Sequence, residues 1–324
     1  MEPSFRFYPL KDDFRNPYAR DRDRVIHCGS FRNLEYKTQV FINSVGDYYR
    51  TRLTHSLEVS QIARSISLNL GLNETLSEVI ALSHDLGHTP FGHVGGDELD
   101  LMLKNSGFKN GFEHNYQSFR VVTFLEKRYM EYDGLNLSFA TLEGVLKHSL
   151  PYKKSFIGDK IYETFKLDYH PSLEAMVVDN ADEIAYISHD IDDGIKYGLI
   201  SFEDLESSIL FDKIKQKVLK SGITDMKSPI FRYRIAAELI NHLVFDFLEH
   251  SKRCKYISDT PCCSMIKADE EIEFGFSNNV KREIKELKAL LFKKLYRHNE
   301  VTKKMFFGRQ CIRALFEDFM NEPL

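Results

Sequence analysis

Nowhere in its 324 residues does the sequence carry an apolar run near the roughly 20 residues that span a bilayer. Residues Met1 to Phe7 contain no apolar core, so no secretory signal is expected there. Glycine (17 residues) and proline (9) are scarce, which excludes collagen-like and linker-rich organisation. The five cysteines, Cys28, Cys254, Cys262, Cys263 and Cys311, show no C-x-x-C pairing. An odd, scattered set of this kind points to reduced thiols and a cytoplasmic location, with adjacent Cys262 and Cys263 read as ordinary thiols. A net charge of −4 offers no overall attraction to nucleic acid or to a membrane surface, so no membrane partner is expected. No G-x-x-x-x-G-K-S/T loop is present, so any phosphates must be held by side chains and metal.

What is there is an ordinary globular balance, 43% apolar and 28% charged, which excludes a disordered chain. Residues 1–20, with Pro3, Pro9 and Pro17, read as an extended lead-in. From there the apolar spacing is helical and strict alternation is rare. Val59, Ile62 and Ile66 recur at steps of three and four. Thr75-x-x-Glu78 reads as a capping box opening a helix that Gly87 and Pro90 close. Leu173, Met176, Val177, Ala181, Ile184 and Ile187 form a second stripe that ends before Gly194. Residues 230–250 and 279–297 read as further amphipathic helices. The expected fold is all-α: one large helical domain over 21–324, with a core at about 50–200 and C-terminal helices at about 201–324. Lys104 to Asn115 and Ser251 to Ser277 read as loops, the acidic run Asp269 to Glu273 as a solvated face.

The chemistry concentrates in His84-Asp-Leu-Gly-His-Thr-Pro-Phe-Gly-His93, which packs three histidines and an aspartate into ten residues. His84 and Asp85 end a helix, and the turn at Gly87 and Pro90 lets His88 and His93 point back into one crevice. His55 shares a face with Val59, Ile62 and Ile66, where a histidine costs desolvation energy unless something bonds it. Asp182, Tyr186 and Asp190 are spaced i, i+4, i+8 along one helix face. A core histidine and a solvated acidic face are the plain alternatives. Together, His55, His84, Asp85 and Asp182 offer a mixed nitrogen and oxygen set suited to one divalent ion, Mn²⁺, Mg²⁺, Fe²⁺, Ni²⁺ or Zn²⁺. Four protein donors leave positions open for water and phosphate oxygens.

The order His55, His84-Asp85, Asp182 resembles the signature of HD-domain metal-dependent phosphohydrolases. Arg52-Leu-Thr-His55-Ser, Lys37-Thr-Gln-Val-Phe41, the segment His84 to His93, Phe112-Glu-His-Asn115, Asp182-Glu-Ile-Ala-Tyr-Ile-Ser-His-Asp190 and Leu295-Tyr-Arg-His298 follow the order of bacterial deoxyguanosine triphosphate triphosphohydrolases. The vertebrate SAM-and-HD-domain dNTPase is a relative of these enzymes. The resemblance spans residues 20 to 300. It implies an HD-type helical fold and hydrolysis of a deoxynucleoside triphosphate to deoxynucleoside and inorganic triphosphate. By position, it implies that His55, His84, Asp85 and Asp182 hold the metal and Arg52 contacts phosphates. Gln39 and Asp190 would bond the 3′-hydroxyl, and Tyr186 would pack on the sugar so that a 2′-hydroxyl has no room. His93 would be the acid or water-orienting group, with His88 and His114 lining the phosphate pocket. The resemblance also implies a homo-oligomer, dimer to hexamer, and an effector that is a nucleotide or single-stranded DNA.

Two departures stand out. The family pattern places a glutamate three residues after His93, where this chain has Gly96, and a histidine without its carboxylate is less well oriented. Glu183 stands where the vertebrate relative has a lysine. Two other functions are carried forward: an HD phosphatase acting on deoxynucleoside monophosphates, and a nucleotide- or DNA-binding regulator with a weakened site. Arg232 and Arg234 are candidates to reach phosphates from a later helix, and the basic stretches 213–220 and 281–304 read as solvated helix faces.

Overall fold

The computed structural model describes residues 1–11, 13–38, 50–148, 154–257 and 266–322. Gln39, Cys262 and Cys263 lie outside the described residues. The N-terminal part holds α1 (Pro17–Ile26), α2 (Gly29–Asn33), α3 (Arg52–Leu70), α4 (Glu74–Ser83), α5 (Gly92–Asn105), α6 (His114–Arg120) and α7 (Phe139–Lys147). Two short helices, α8 (Lys154–Ile157) and α9 (Asp159–Thr164), lead to the long α10 (Leu173–Lys196). The C-terminal part comprises α11 (Phe202–Leu205), α12 (Ile209–Lys220), α13 (Pro229–Ser251), α14 (Asn278–Leu291) and α15 (Asn299–Asn321). Among the described residues, β pairing is limited to two isolated bridges. The fold is all-α, and among the described residues no helix is long and apolar enough to cross a membrane.

The ends of the helices follow from local chemistry. Pro17 opens α1 behind an Asn16 cap. Thr51 and Thr54 cap α3 reciprocally, and Gly71, in the left-handed region at φ 70°, ends it. The next helix starts earlier than the Thr75 box predicts. Asn73 emerges from the Gly71 turn and accepts from the Leu76 N–H at 3.1 Å, so Thr75 falls inside the first turn. Helix α10 likewise continues through Gly194 to Lys196. A Cβ at Gly194 would come within 2.9 Å of Ile200 and 3.1 Å of Leu295, so this glycine serves close packing rather than termination.

The core is a single cluster in which α10 packs against α3, α4 and α13. Val59, Ile62 and Ile66 of α3 and Ala181, Ile184 and Ile187 of α10 all belong to it, each buried Val or Ile side chain contributing about 1.5–3 kcal/mol. The N-terminal segment is tied down rather than free. Arg6 pairs with buried Asp21 at 2.5 Å, and Asp21 also accepts from Ser138 and Thr141 at the start of α7. This packing fixes the beginnings of α3 and α10 and the end of α4 around one crevice.

Candidate metal centre

Three elements bring the donors together. The first turn of α3 carries Arg52 and His55, the end of α4 carries His84 and Asp85, and the middle of α10 carries Asp182. His55, His84 and Asp182 each present a donor atom, all within 4.8 Å of one another. His55 Nε2 lies 2.8 Å from Asp182 Oδ1. His84 Nδ1 lies 2.6 Å from the Ala81 carbonyl, which only accepts, so this nitrogen carries the ring hydrogen. His84 Nε2 is then a buried lone pair that makes no hydrogen bond, with Asp85 Oδ1 at 3.4 Å and Asp182 Oδ1 at 3.8 Å. A lone pair surrounded by carboxylate oxygens calls for a cation, and the nitrogen and oxygen set fits a borderline or hard divalent ion.

Asp85 is shared. Its Oδ2 accepts from Arg52 Nη1 at 2.8 Å, and its Oδ1 lies 2.9 Å from His88 Nδ1. Burial opposes its charge, but Arg52 and the flanking His88 and His84 hold its pKa well below the usual carboxylate value. Asp182 is also held low: burial opposes its charge, but the neighbouring His55, His84 and His148 together outweigh it.

A second group adjoins the first. His88, His93 and His114 form a triangle with ring centroids 4.1–5.3 Å apart. Burial lowers the pKa of all three, that of His114 to about 4. Gly87 makes this triangle possible. A Cβ there would sit 2.2 Å from the Ser118 nitrogen and 2.3 Å from the His114 carbonyl, so only glycine lets α6 approach. Ser118 Oγ pins the approach, donating to the His84 carbonyl at 2.6 Å and accepting from the Gly87 N–H at 2.9 Å. His93 is desolvated on its inner side but stands at the open edge of the triangle, and at Gly96 a Cβ would meet only ordinary contacts, 3.6 Å from Phe112 and 3.7 Å from Thr89.

Both groups open on a cavity of about 310 Å³, the scale of a small-molecule site. Arg52, His93, His114, Asp182 and Tyr186 line it, and Phe292, Tyr296 and Met305 of the C-terminal part close its far wall. Tyr186 and Tyr296 stack and share a 2.5 Å hydroxyl hydrogen bond. Burial raises the Tyr186 pKa, so its hydroxyl keeps its proton.

Asp190 is not on the cavity wall. It is buried one turn beyond Tyr186, its pKa raised first by burial and then by Asp193, and its Oδ2 makes no hydrogen bond. Arg232 does not reach the cavity either: it is buried against Asp192, Nε to Oδ1 3.2 Å, while Arg234 is exposed. Glu183 faces away, paired with Lys288 at 2.7 Å.

Sequence reasoning missed His148, Asp179, His189 and Glu58. His148 caps the end of α7 and lines the cavity, with Nδ1 hydrogen-bonded to Asp179 and Nε2 4.0 Å from Asp182 Oδ2. Burial disfavours its charge, yet Asp179, Asp182 and Asp85 outweigh burial and raise its pKa to about 9. The available signal was helical spacing, since Asp179 precedes Asp182 by three residues and His189 follows it by seven.

The chain is similar to known proteins of one family. Residues 52–194 match the HD domain model, and residues 274–324 match a phosphohydrolase-associated domain. A deoxyguanosinetriphosphate triphosphohydrolase-like protein of Wolinella succinogenes is 65% identical over 322 residues, 99% of this chain and 88% of that protein. Proteins of the same description from Nitrosomonas europaea and Geobacter metallireducens are 46% and 42% identical, covering 95% and 96% of this chain and 81% and 79% of theirs.

Proposed function

Since the chain belongs to the HD-domain family of deoxyguanosinetriphosphate triphosphohydrolase-like proteins, metal-dependent phosphohydrolases by their HD domain, we propose that it hydrolyses deoxynucleoside triphosphates to deoxynucleoside and inorganic triphosphate. The observation that carries this reading is the convergence of His55, His84 and Asp182 beside a cavity lined by Arg52 and three histidines.

In this reading His55, His84, Asp182 and the shared Asp85 hold one divalent ion. When bound, the ion polarises an α-phosphate oxygen and offsets charge that builds there. Arg52, with its planar fork of donors, binds phosphate oxygens from the same side. Water adds to the α-phosphorus, the bond to the 5′ oxygen breaks, and that oxygen takes up a proton. His93, at the open edge of the histidine triangle, supplies the proton and is recharged by the one that the attacking water gives up, while His88 and His114 line the phosphate pocket. Tyr186 packs on the sugar, and the family resemblance assigns Gln39 and Asp190 to the 3′-hydroxyl, Asp190 sitting behind Tyr186 and off the cavity wall. The unpartnered Oδ2 of Asp190 supports that last role. Self-association and a nucleotide or single-stranded DNA effector belong to the same reading and rest on the family alone.

The test is product analysis. The pure protein is incubated with each deoxynucleoside triphosphate and Mn²⁺. Nucleoside and inorganic triphosphate in equal amounts are expected. Orthophosphate without triphosphate would identify a phosphatase instead. Nucleotide binding without turnover would identify a regulator, the outcome that Gly96 favours.

A further inference from the structure

One buried histidine beside the centre has no part in the chemistry above. His189 lies on α10, its Nδ1 3.3 Å from His55 Nδ1 and its Nε2 2.5 Å from Glu58 Oε2. Glu58, one turn along α3 from His55, also accepts from Arg50 Nε at 3.1 Å. A carboxylate only accepts, so His189 Nε2 carries the hydrogen of its contact with Glu58. A neutral ring has one such hydrogen, so His189 Nδ1 is a lone pair. The hydrogen between the two Nδ1 atoms therefore belongs to His55. His55 Nε2 is left as a lone pair, 2.8 Å from Asp182 Oδ1, which is also an acceptor. Two acceptors face one another across a gap that a cation fills.

From this geometry we infer that His189, backed by Glu58, is a positioning residue that fixes the tautomer and orientation of His55 so that Nε2 is presented to a divalent ion. Ligating histidines commonly direct their second nitrogen to a carboxylate or carbonyl. His84 does so directly, through Ala81. His55 does so through an intervening imidazole, which reaches a carboxylate near the surface that the His55 ring does not touch. The inference rests on the reading of His55, His84 and Asp182 as ion ligands.

The test measures ion affinity rather than turnover. The full-length protein is stripped with a chelator and titrated with Mn²⁺ as wild type, H189L, H189Q, E58A and D182A, with ¹⁵N spectra reporting the His55 tautomer. Wild type should show one site that D182A removes. H189L should bind about 10- to 100-fold more weakly and lose the single tautomer. H189Q should recover affinity to within about threefold, because its amide oxygen accepts from His55 while its amide nitrogen donates to Glu58. E58A should weaken binding less than H189L does. The Glu58 side chain is 44% exposed, so E58A also tests the relay if H189L does not fold. H189L and E58A binding as tightly as wild type, or H189Q binding as weakly as H189L, overturns the relay alone. A wild type with no D182A-sensitive site overturns the ligand reading as well.

Discussion

Arg52 and Asp85 form an ion pair with side chains only 3% and 4% exposed, Nη1 to Oδ2 at 2.8 Å. The same aspartate stands 3.4 Å from the bare nitrogen of His84. An ion drawing on Asp85 would therefore compete with Arg52, which also lines the cavity, for the charge of one carboxylate.

That competition gives the first prediction. Arg52→Ala leaves Asp85 buried without its cationic partner, which should cost the metal-free protein about 3–5 kcal/mol. Saturating Mn²⁺ should restore most of the loss, because the ion takes over the charge of Asp85. Activity should still fall by about 10- to 100-fold in kcat/KM, the value of a charged hydrogen bond to phosphate. Melting curves with and without Mn²⁺ check the first part, and steady-state kinetics check the second.

Gly96→Glu should raise kcat about tenfold and move the pH optimum upward. The position has room for a side chain, and a carboxylate near His93 favours the charged ring that donates a proton. Replacing a helical glycine should also add about 0.5 kcal/mol of stability. Unchanged turnover in a well-folded variant would remove His93 from the proton-donor role.

His114 supplies a pH signature. Burial holds its pKa at about 4, below the unfolded value of 6.5. A depressed pKa means that the unfolded chain takes up the proton first. The contribution is intact above pH 6.5 and is lost as pH falls toward 4. Compared with His114→Gln, the wild type should therefore lose about 1.4 kcal/mol per pH unit through that window. Denaturant midpoints for both proteins across pH 4–7 measure the difference, and parallel curves would contradict it.

Gly87→Ala should destabilise the protein by about 1–3 kcal/mol or more, since the added methyl meets backbone rather than a yielding side chain. The displaced element is α6, so His114 should leave the histidine triangle. Loss of nucleotide binding should exceed the loss of Mn²⁺ binding, because no donor of the candidate ion site sits on α6. Parallel titrations with the two ligands check this.

Much of the centre was legible in the sequence because its donors sit at periodic positions. His55 on the Val59–Ile66 face and Asp182 on the Leu173–Ile187 stripe both had to point inward. His84 and Asp85 were marked by the turn residues that follow them. His189 and Glu58 were hidden because they meet across two helices, and the angle between α3 and α10 is set by packing that no local pattern reports. His148 was hidden for a similar reason: it sits at the end of α7, more than 30 residues from its partner Asp179. Gly194 misled because glycine ends a helix and permits close packing with the same letter. Asp85 was legible as the neighbour of His84, but the donor group that converges is His55, His84 and Asp182, and the placing of Asp85 between Arg52 and His88 follows only from three-dimensional proximity.

The hydroxyl bond between Tyr186 and Tyr296 joins α10 to the π-helical turn that follows α14. Every candidate ion donor precedes residue 190, whereas one side of the chamber comes from Phe292 onward. A protein cleaved ahead of Phe292 would keep its grip on an ion and forfeit its hold on a nucleotide. On the proposed reading, ion capture and substrate retention would then be separable, the C-terminal wall of the chamber being latched to α10 by a pair of phenols.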